Sequence, residues 1–110
     1  MRWRNIWVHN QSMRTVIETP TFQKQAAALW TDDEREAFID FIAADPDAGD
    51  VIPGADGARK LRWQRPGMGK RGGGARVIYF HLVADQVVLL VMVYAKAQRK
   101  NVKPKDIKRS

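Results

Sequence analysis

Between Phe22 and Ile42 the apolar side chains recur every three or four positions, whereas beyond Ala58 they recur every second position or run together, so helices are predicted first and strands afterwards. Ahead of the helices, Thr15-Val16-Ile17-Glu18-Thr19 is rich in β-branched residues and predicts a short strand. Pro20 then suits the first position of a helix, where its missing N–H loses no bond. Phe22, Ala26, Leu29 and Trp30 follow at helical spacing. A second helix is predicted to start at Thr31-Asp32-Asp33-Glu34: the Thr31 hydroxyl caps, Glu34 reaches back from three residues on, and three carboxylates meet the positive end of the helix dipole. Its apolar stripe is Ala37, Phe38, Phe41 and Ile42, and the chain leaves it at Ala44-Asp45-Pro46.

Gly49 to Gly57, with Pro53 and three glycines, predicts a loop between a helical half and a sheet half. From Ala58 to Trp63 the pattern alternates, which sends Leu61 and Trp63 to one face of a strand and Lys60 and Arg62 to the other. Arg65 to Gly74 is a basic, glycine-rich connection. Ala75 to Val83 and Gln86 to Val93 then predict a hairpin turning at Ala84-Asp85, and the second arm, apolar throughout, fits a central strand covered on both faces. Pro104-Lys105-Asp106-Ile107 is compatible with a short tail helix or with no order. The expected architecture is α+β, two N-terminal helices packed on a mostly antiparallel four-stranded sheet in the order β-α-α-β-β-β. Residues 13–103 form the expected domain and residues 104–110 a basic tail. Residues 1–12, which precede a second methionine at Met13 and have neither the apolar core nor the cleavage site of a signal peptide, are set apart as an N-terminal extension.

Charge sharpens this division. Thr31 to Asp50 holds eight acidic residues and one basic, whereas Ala58 to Ser110 holds fourteen basic and two acidic, within a formal net charge of +7. Such an excess points to a polyanionic partner, nucleic acid or an anionic membrane. The longest apolar run, Val87 to Val93, is strand-sized and far short of the roughly 18 to 20 residues of a bilayer span, and the sequence offers no amphipathic basic helix to lie on an anionic surface, so no membrane partner is expected. With no cysteine the chain has no disulfide and no thiolate ligand, which suits the cytoplasm.

Several kinds of chemistry are poorly supplied. Gly69-Lys70-Arg71-Gly72 lacks the hydroxyl and the following helix of a phosphate loop, and no GxGxxG opens a helix directly after a strand. His9 lies in the extension and His81 inside an apolar strand, neither beside carboxylates at metal-ligand spacing, so no metal site and no cofactor are expected. His81 reads as a packed or half-exposed strand residue rather than a general base.

What remains is a basic segment: Arg59, Lys60, Arg62, Arg65, Lys70, Arg71 and Arg76 lie within eighteen residues that contain no acid. Such a run supplies salt-dependent affinity for phosphate, and Trp63, Tyr79 and Tyr94 add base stacking where exposed. A charged run is also commonly just solvated surface, and aromatics that alternate with aliphatics, as Trp63 and Tyr79 do, are more often core. RNA carries its own nucleophile, the 2′-hydroxyl. A protein need only deprotonate it, steady the pentavalent phosphate and protonate the leaving oxygen, and Lys and Arg together are able to do all three.

The stretches Gly49-Asp50-Val51-Ile52-Pro53-Gly54, Gly57-Ala58-Arg59-Lys60-Leu61-Arg62-Trp63, Pro66-Gly67-Met68-Gly69-Lys70, Gly73-Gly74-Ala75-Arg76-Val77-Ile78-Tyr79-Phe80 and Val91-Met92-Val93-Tyr94-Ala95-Lys96 resemble the RelE/HigB-type toxins of bacterial type II toxin–antitoxin pairs, within the RelE/ParE superfamily. With Thr15 to Phe22 and the helix containing Glu34, the resemblance runs from Met13 to about Val102. It implies an mRNA interferase: a metal-independent endoribonuclease that binds the ribosomal A site, cuts the mRNA there, inhibits translation and arrests growth. It implies two partners, ribosome-bound mRNA and a cognate antitoxin carrying a DNA-binding domain.

Carried over by position, the resemblance implies that Lys60 and Arg62 lie on the strand of the family's catalytic Lys, that Arg76 stands where the family places a phosphate-binding Arg, and that Lys70 sits in the loop between them. Tyr94 and Lys96 end the last strand beside the same cleft. The catalytic set is then Lys60, Arg62, Arg76 and Lys96, with Lys60 as general base or charge stabiliser and the two arginines on the scissile phosphate. Arg59, Arg65, Lys70, Arg71, Tyr94 and Arg99 are the RNA-binding set. Family members also use a C-terminal Arg and Tyr, but Ala97-Gln98-Arg99-Lys100-Asn101-Val102-Lys103 holds no Tyr, which leaves Lys96 or Arg99 as the proton donor. Because of that departure, a basic module that occupies the ribosome without cutting is the alternative reading.

Overall fold

The computed structural model describes residues 7–10, as backbone, and residues 15–63, 74–95 and 107. In chain order the elements are β1 (Trp7–Asn10), β2 (Thr15–Glu18), α1 (Pro20–Leu29), α2 (Asp32–Ala44), β3 (Asp50–Val51), β4 (Arg59–Trp63), β5 (Ala75–Leu82) and β6 (Val87–Ala95). The strands form one sheet in the order β1-β2-β6-β5-β4-β3. Only β2 and β6 run parallel, and the other pairings are antiparallel, as expected.

The sheet has six strands where the sequence predicts four. β3 is two residues long and exposed, too short for any alternation to emerge from the Gly- and Pro-rich stretch that holds it. β1 lies within the segment set apart as an extension, where it pairs along β2 from Trp7↔Glu18 to Asn10↔Thr15.

Both helices begin where local chemistry places them. Thr19 is extended, accepts from the Phe22 amide at 3.2 Å, and is followed by Pro20 at the first helical position. Thr31 and Glu34 complete a capping box, with Glu34 N donating to the Thr31 hydroxyl at 3.2 Å and Thr31 N donating to Glu34 Oε1 at 2.8 Å. The two caps differ in reach. Thr19 is buried, and its hydroxyl also donates to Leu90 O at 2.9 Å and faces Val91 O at 3.2 Å, so it ties α1 to the central strand. Thr31 is exposed and serves its own helix alone. Thr31→Ala is therefore expected to destabilise by about 1 kcal/mol, the usual value of a cap. Thr19→Val, which also leaves buried carbonyl groups short of a donor, is expected to cost about 2 kcal/mol. Urea denaturation of the two variants checks the order, and equal losses would remove the tie to β6 from the account.

The sheet buries both faces. Toward the helices, Val16, Val77, Tyr79, Val88, Leu90 and Val93 pack with Phe22, Ala26, Phe38, Ile39, Ile42 and Ala43. The buried stripe of α2 includes Ile39, which the expected stripe omits, while Phe41 is only partly buried. On the opposite face Ile78, Phe80, Val91 and Tyr94 pack with Ala55 and Ala58 of the β3–β4 connection, and Ile52 and Ile107 rest against them. β6 is thus covered on both sides. An irregularity in the β5–β6 ladder, where Ile78 pairs Met92 and Tyr79 pairs Leu90, makes Val91 an extra residue in β6. Just beyond it, Gln25 of α1 accepts from the Val93 amide at 2.9 Å.

Candidate nucleic-acid interface

In antiparallel strands, residues directly opposite one another point to the same side of the sheet. The register of β4 on β5 and of β5 on β6 therefore lines Arg62, Arg76 and Tyr94 in one row across three strands. Lys60 stands two residues along β4 from Arg62, opposite Ile78, on the face turned away from the helices. Strand rise separates Lys60 from Arg62 by about 7 Å, and Lys60 is a diagonal neighbour of Arg76 at about 7–8 Å. Three long cationic side chains thus spring from a patch the width of one phosphodiester linkage. Leu61 and Trp63, between them in sequence, pack into the helix-side core.

Two like charges directly opposite each other on neighbouring strands destabilise a sheet. Arg62 and Arg76 are such a pair, with Arg62 exposed and Arg76 half-buried. An anion between the guanidinium groups converts that repulsion into two charge-assisted contacts, and a planar fork suits a phosphate better than an ammonium does. The face is not free of acid, however. β3 places Asp50 opposite Lys60, a neighbour that the sequence hid inside a loop.

The remaining expected site residues divide into three groups. Tyr94 joins the row but is only 6% exposed, its ring packed with Ile78, Phe80 and Val91, so the ring is part of the core on that face and no open stacking platform. Arg59 goes to the other face. It pairs in register with Tyr79, whose side chain belongs to the helix-side core, and its Nη1 donates to Gly49 O at 2.6 Å while Nη2 lies 3.4 Å from Asp47 Oδ1. Arg65, Lys70, Arg71, Lys96 and Arg99 lie outside the described residues.

His81 is a packed strand residue, as its position in the sequence suggests. Its side chain is 5% exposed, and Nδ1 lies 2.7 Å from Asp47 Oδ1. Tyr79, beneath it, is fully buried, donating to Pro46 O at 2.8 Å and accepting from Gly49 N at 2.9 Å. Burial pushes the Tyr79 phenol above its ordinary pKa of 10.0, outweighing the Gly49 hydrogen bond and the Arg59 charge that pull it down. The folded state thus holds this proton more tightly than the unfolded chain, so the associated stability is complete below about pH 10 and is lost as pH rises through the elevated folded value. Urea midpoints are expected to fall between pH 9 and pH 11 in the wild type and to fall less in Tyr79→Phe. Parallel profiles for the two proteins would contradict this assignment.

No protein-family model matches the chain. Among solved structures, it is similar to that of a mutant E. coli toxin RelE in the free state, with a TM-score of 0.54 and 17% sequence identity, over 77% of this chain and 85% of that one. Among the described residues, no helix is long and apolar enough to cross a membrane. Two capped helices laid on one face of a mixed sheet, with a row of cations on the other, together with that likeness, give this chain a RelE-like α+β fold.

Proposed function

We propose that this chain is the toxin of a toxin–antitoxin pair, a metal-independent endoribonuclease that cuts mRNA in the ribosomal A site. The observation that carries the reading is the patch of Lys60, Arg62 and Arg76, three cations from two adjacent strands on one face of the sheet. It is supported by likeness in fold to a protein described as a toxin. In the proposed reaction the 2′-oxygen of the nucleotide before the cut attacks the neighbouring phosphorus and the 5′-oxygen leaves, giving a cyclic phosphate and a free 5′-hydroxyl. Arg62 and Arg76 hold the non-bridging oxygens as charge builds on them, and Lys60 takes the 2′-hydroxyl proton or stabilises the charge. Lys96 or Arg99 supplies the proton to the leaving oxygen. Arg65, Lys70 and Arg71 extend the contact along the RNA backbone, giving affinity that falls steeply with salt. The phosphate-binding face is also the electrostatic target for an antitoxin that presents acidic side chains, and an antitoxin with a DNA-binding domain is the partner we expect.

Mapping mRNA ends in ribosome complexes after brief induction tests the reading. New 5′ ends within A-site codons are expected. Arrested translation with intact mRNA would replace cleavage by occlusion, and failure to arrest growth would remove both.

A further inference from the structure

Arg59 and Lys60 are adjacent and alike in charge, yet the pleat sends them to opposite faces, and Gly49, whose carbonyl Arg59 holds, also lies against the backbone of Lys60. The Arg59 guanidinium holds the chain just after α2: Nη1 donates to Gly49 O at 2.6 Å and reaches Asp47 O at 3.4 Å. Asp47 Oδ1 is shared between Arg59 and His81. Tyr79, the cross-strand partner of Arg59, bridges Pro46 O and Gly49 N through its hydroxyl. Gly49 completes the contact. It is buried, and a Cβ built there would stand 2.9 Å from Lys60 O and 2.9 Å from the Tyr79 hydroxyl, so its bare backbone lies directly on the Lys60 peptide. One residue later, Asp50 pairs with Lys60 across β3 and β4.

We infer that residues 46–50, clamped by Arg59, Tyr79 and His81, are a positioning device for Lys60, and that Arg59 holds this segment instead of touching RNA. The inference rests on the proposed cleavage reaction and adds the part of the protein that sets its geometry. A helix exit needs no such arrangement. Six side-chain contacts converge on a segment whose Gly49 lies against the carbonyl of the residue proposed to act on the 2′-hydroxyl. Lys60 has a long, rotatable stem, so the location of its amine depends on where its backbone is fixed, and an error of about 1 Å at a reacting group costs on the order of 10²-fold in rate. The charge run disguises this division of labour, because a count of cations assigns Arg59 and Arg62 to the same surface.

The test measures kcat and KM for cleavage of ribosome-bound mRNA, and the salt dependence of RNA affinity, for the full chain and the variants Gly49→Ala, Arg59→Gln, Tyr79→Phe and Arg62→Gln. In the first three, kcat is expected to fall roughly 10- to 100-fold with KM within twofold. The slope of log affinity against log salt should stay at the wild-type value in Arg59→Gln but shrink by about one in Arg62→Gln. Should Gly49→Ala fail to fold by circular dichroism, Arg59→Gln and Tyr79→Phe carry the test. A reduced salt slope in Arg59→Gln, or wild-type kcat in folded variants, overturns the positioning role alone. A wild-type chain that binds RNA and never cuts it overturns the proposed reaction, and the positioning role with it.

Discussion

Replacing Arg62 and Arg76 together by alanine is expected to lower RNA cleavage by roughly 10²- to 10⁴-fold and to abolish growth arrest on induction. Each charge-assisted hydrogen bond to a phosphate oxygen contributes about 1.5–3 kcal/mol. Two of them give about 3–6 kcal/mol, and a factor of ten corresponds to about 1.4 kcal/mol. Both side chains stand in one cross-strand row, so in the proposed reaction they act on one phosphate and their losses should combine at a single step. The salt slope of RNA affinity should also shrink by about two, one for each contact removed. Stability should move differently. Arg62 is exposed and faces a like charge across the strands, so Arg62→Ala alone is expected to leave the melting temperature unchanged or slightly raised. A change that weakens function while sparing stability marks a residue kept for its ligand. Full toxicity in a folded double variant would remove the row from the mechanism.

What the sequence revealed and what it hid divide along the range of the forces involved. Pro20 and the Thr31–Glu34 box mark both helix starts because caps are satisfied within one turn. Lys60 and Arg62 share a face because strand side chains alternate, and the same rule sends Arg59 with Leu61 and Trp63, a consequence that the run of positive charge conceals. Pairings between distant segments leave no such mark. Nothing in Thr15–Glu18 announces a parallel neighbour some seventy residues away, yet β2 lies along β6 from Thr15↔Val87 to Glu18↔Leu90. Tyr94 shows the limit most clearly. Strict alternation from Leu90, which faces the helices, would turn Tyr94 toward them as well, but the extra residue at Val91 reverses the phase and delivers Tyr94 to the row of Arg62 and Arg76. A bulge is set by the ladder as a whole, and the uniformly apolar run Val87 to Val93 carries no polar residue to reveal it. The place of Asp50 opposite Lys60 is hidden in the sequence for a related reason, since a strand of two residues has no period.

Phe38→Ala is expected to destabilise the chain by about 3–5 kcal/mol, the cost of removing a fully buried aromatic ring and leaving a cavity. The size follows from what the ring joins. Its centroid lies 5.5 Å from that of Trp30, which follows α1, and 5.5 Å from that of Trp63, which ends β4, while Trp30 in turn meets Phe22 at 6.3 Å and Trp63 meets Phe41 at 4.9 Å. Phe38 thus joins both helices to the strand bearing Lys60 and Arg62, beside the contact of Phe41 with Trp63. A domain of this size has roughly 5–15 kcal/mol in all, and each kcal/mol moves the midpoint by about 4–8 °C. A fall of at least about 12 °C in melting temperature is therefore expected, with Phe38→Leu, which retains most of the volume, falling much less. Tryptophan emission should report the same event, because two of the four indoles in the chain touch the deleted ring. RNA cleavage below the new midpoint should decline only with the folded fraction, since Phe38 lies across the sheet from the cations. A loss under about 2 kcal/mol would mean that the helices are held by other contacts and that Trp63 is seated without them.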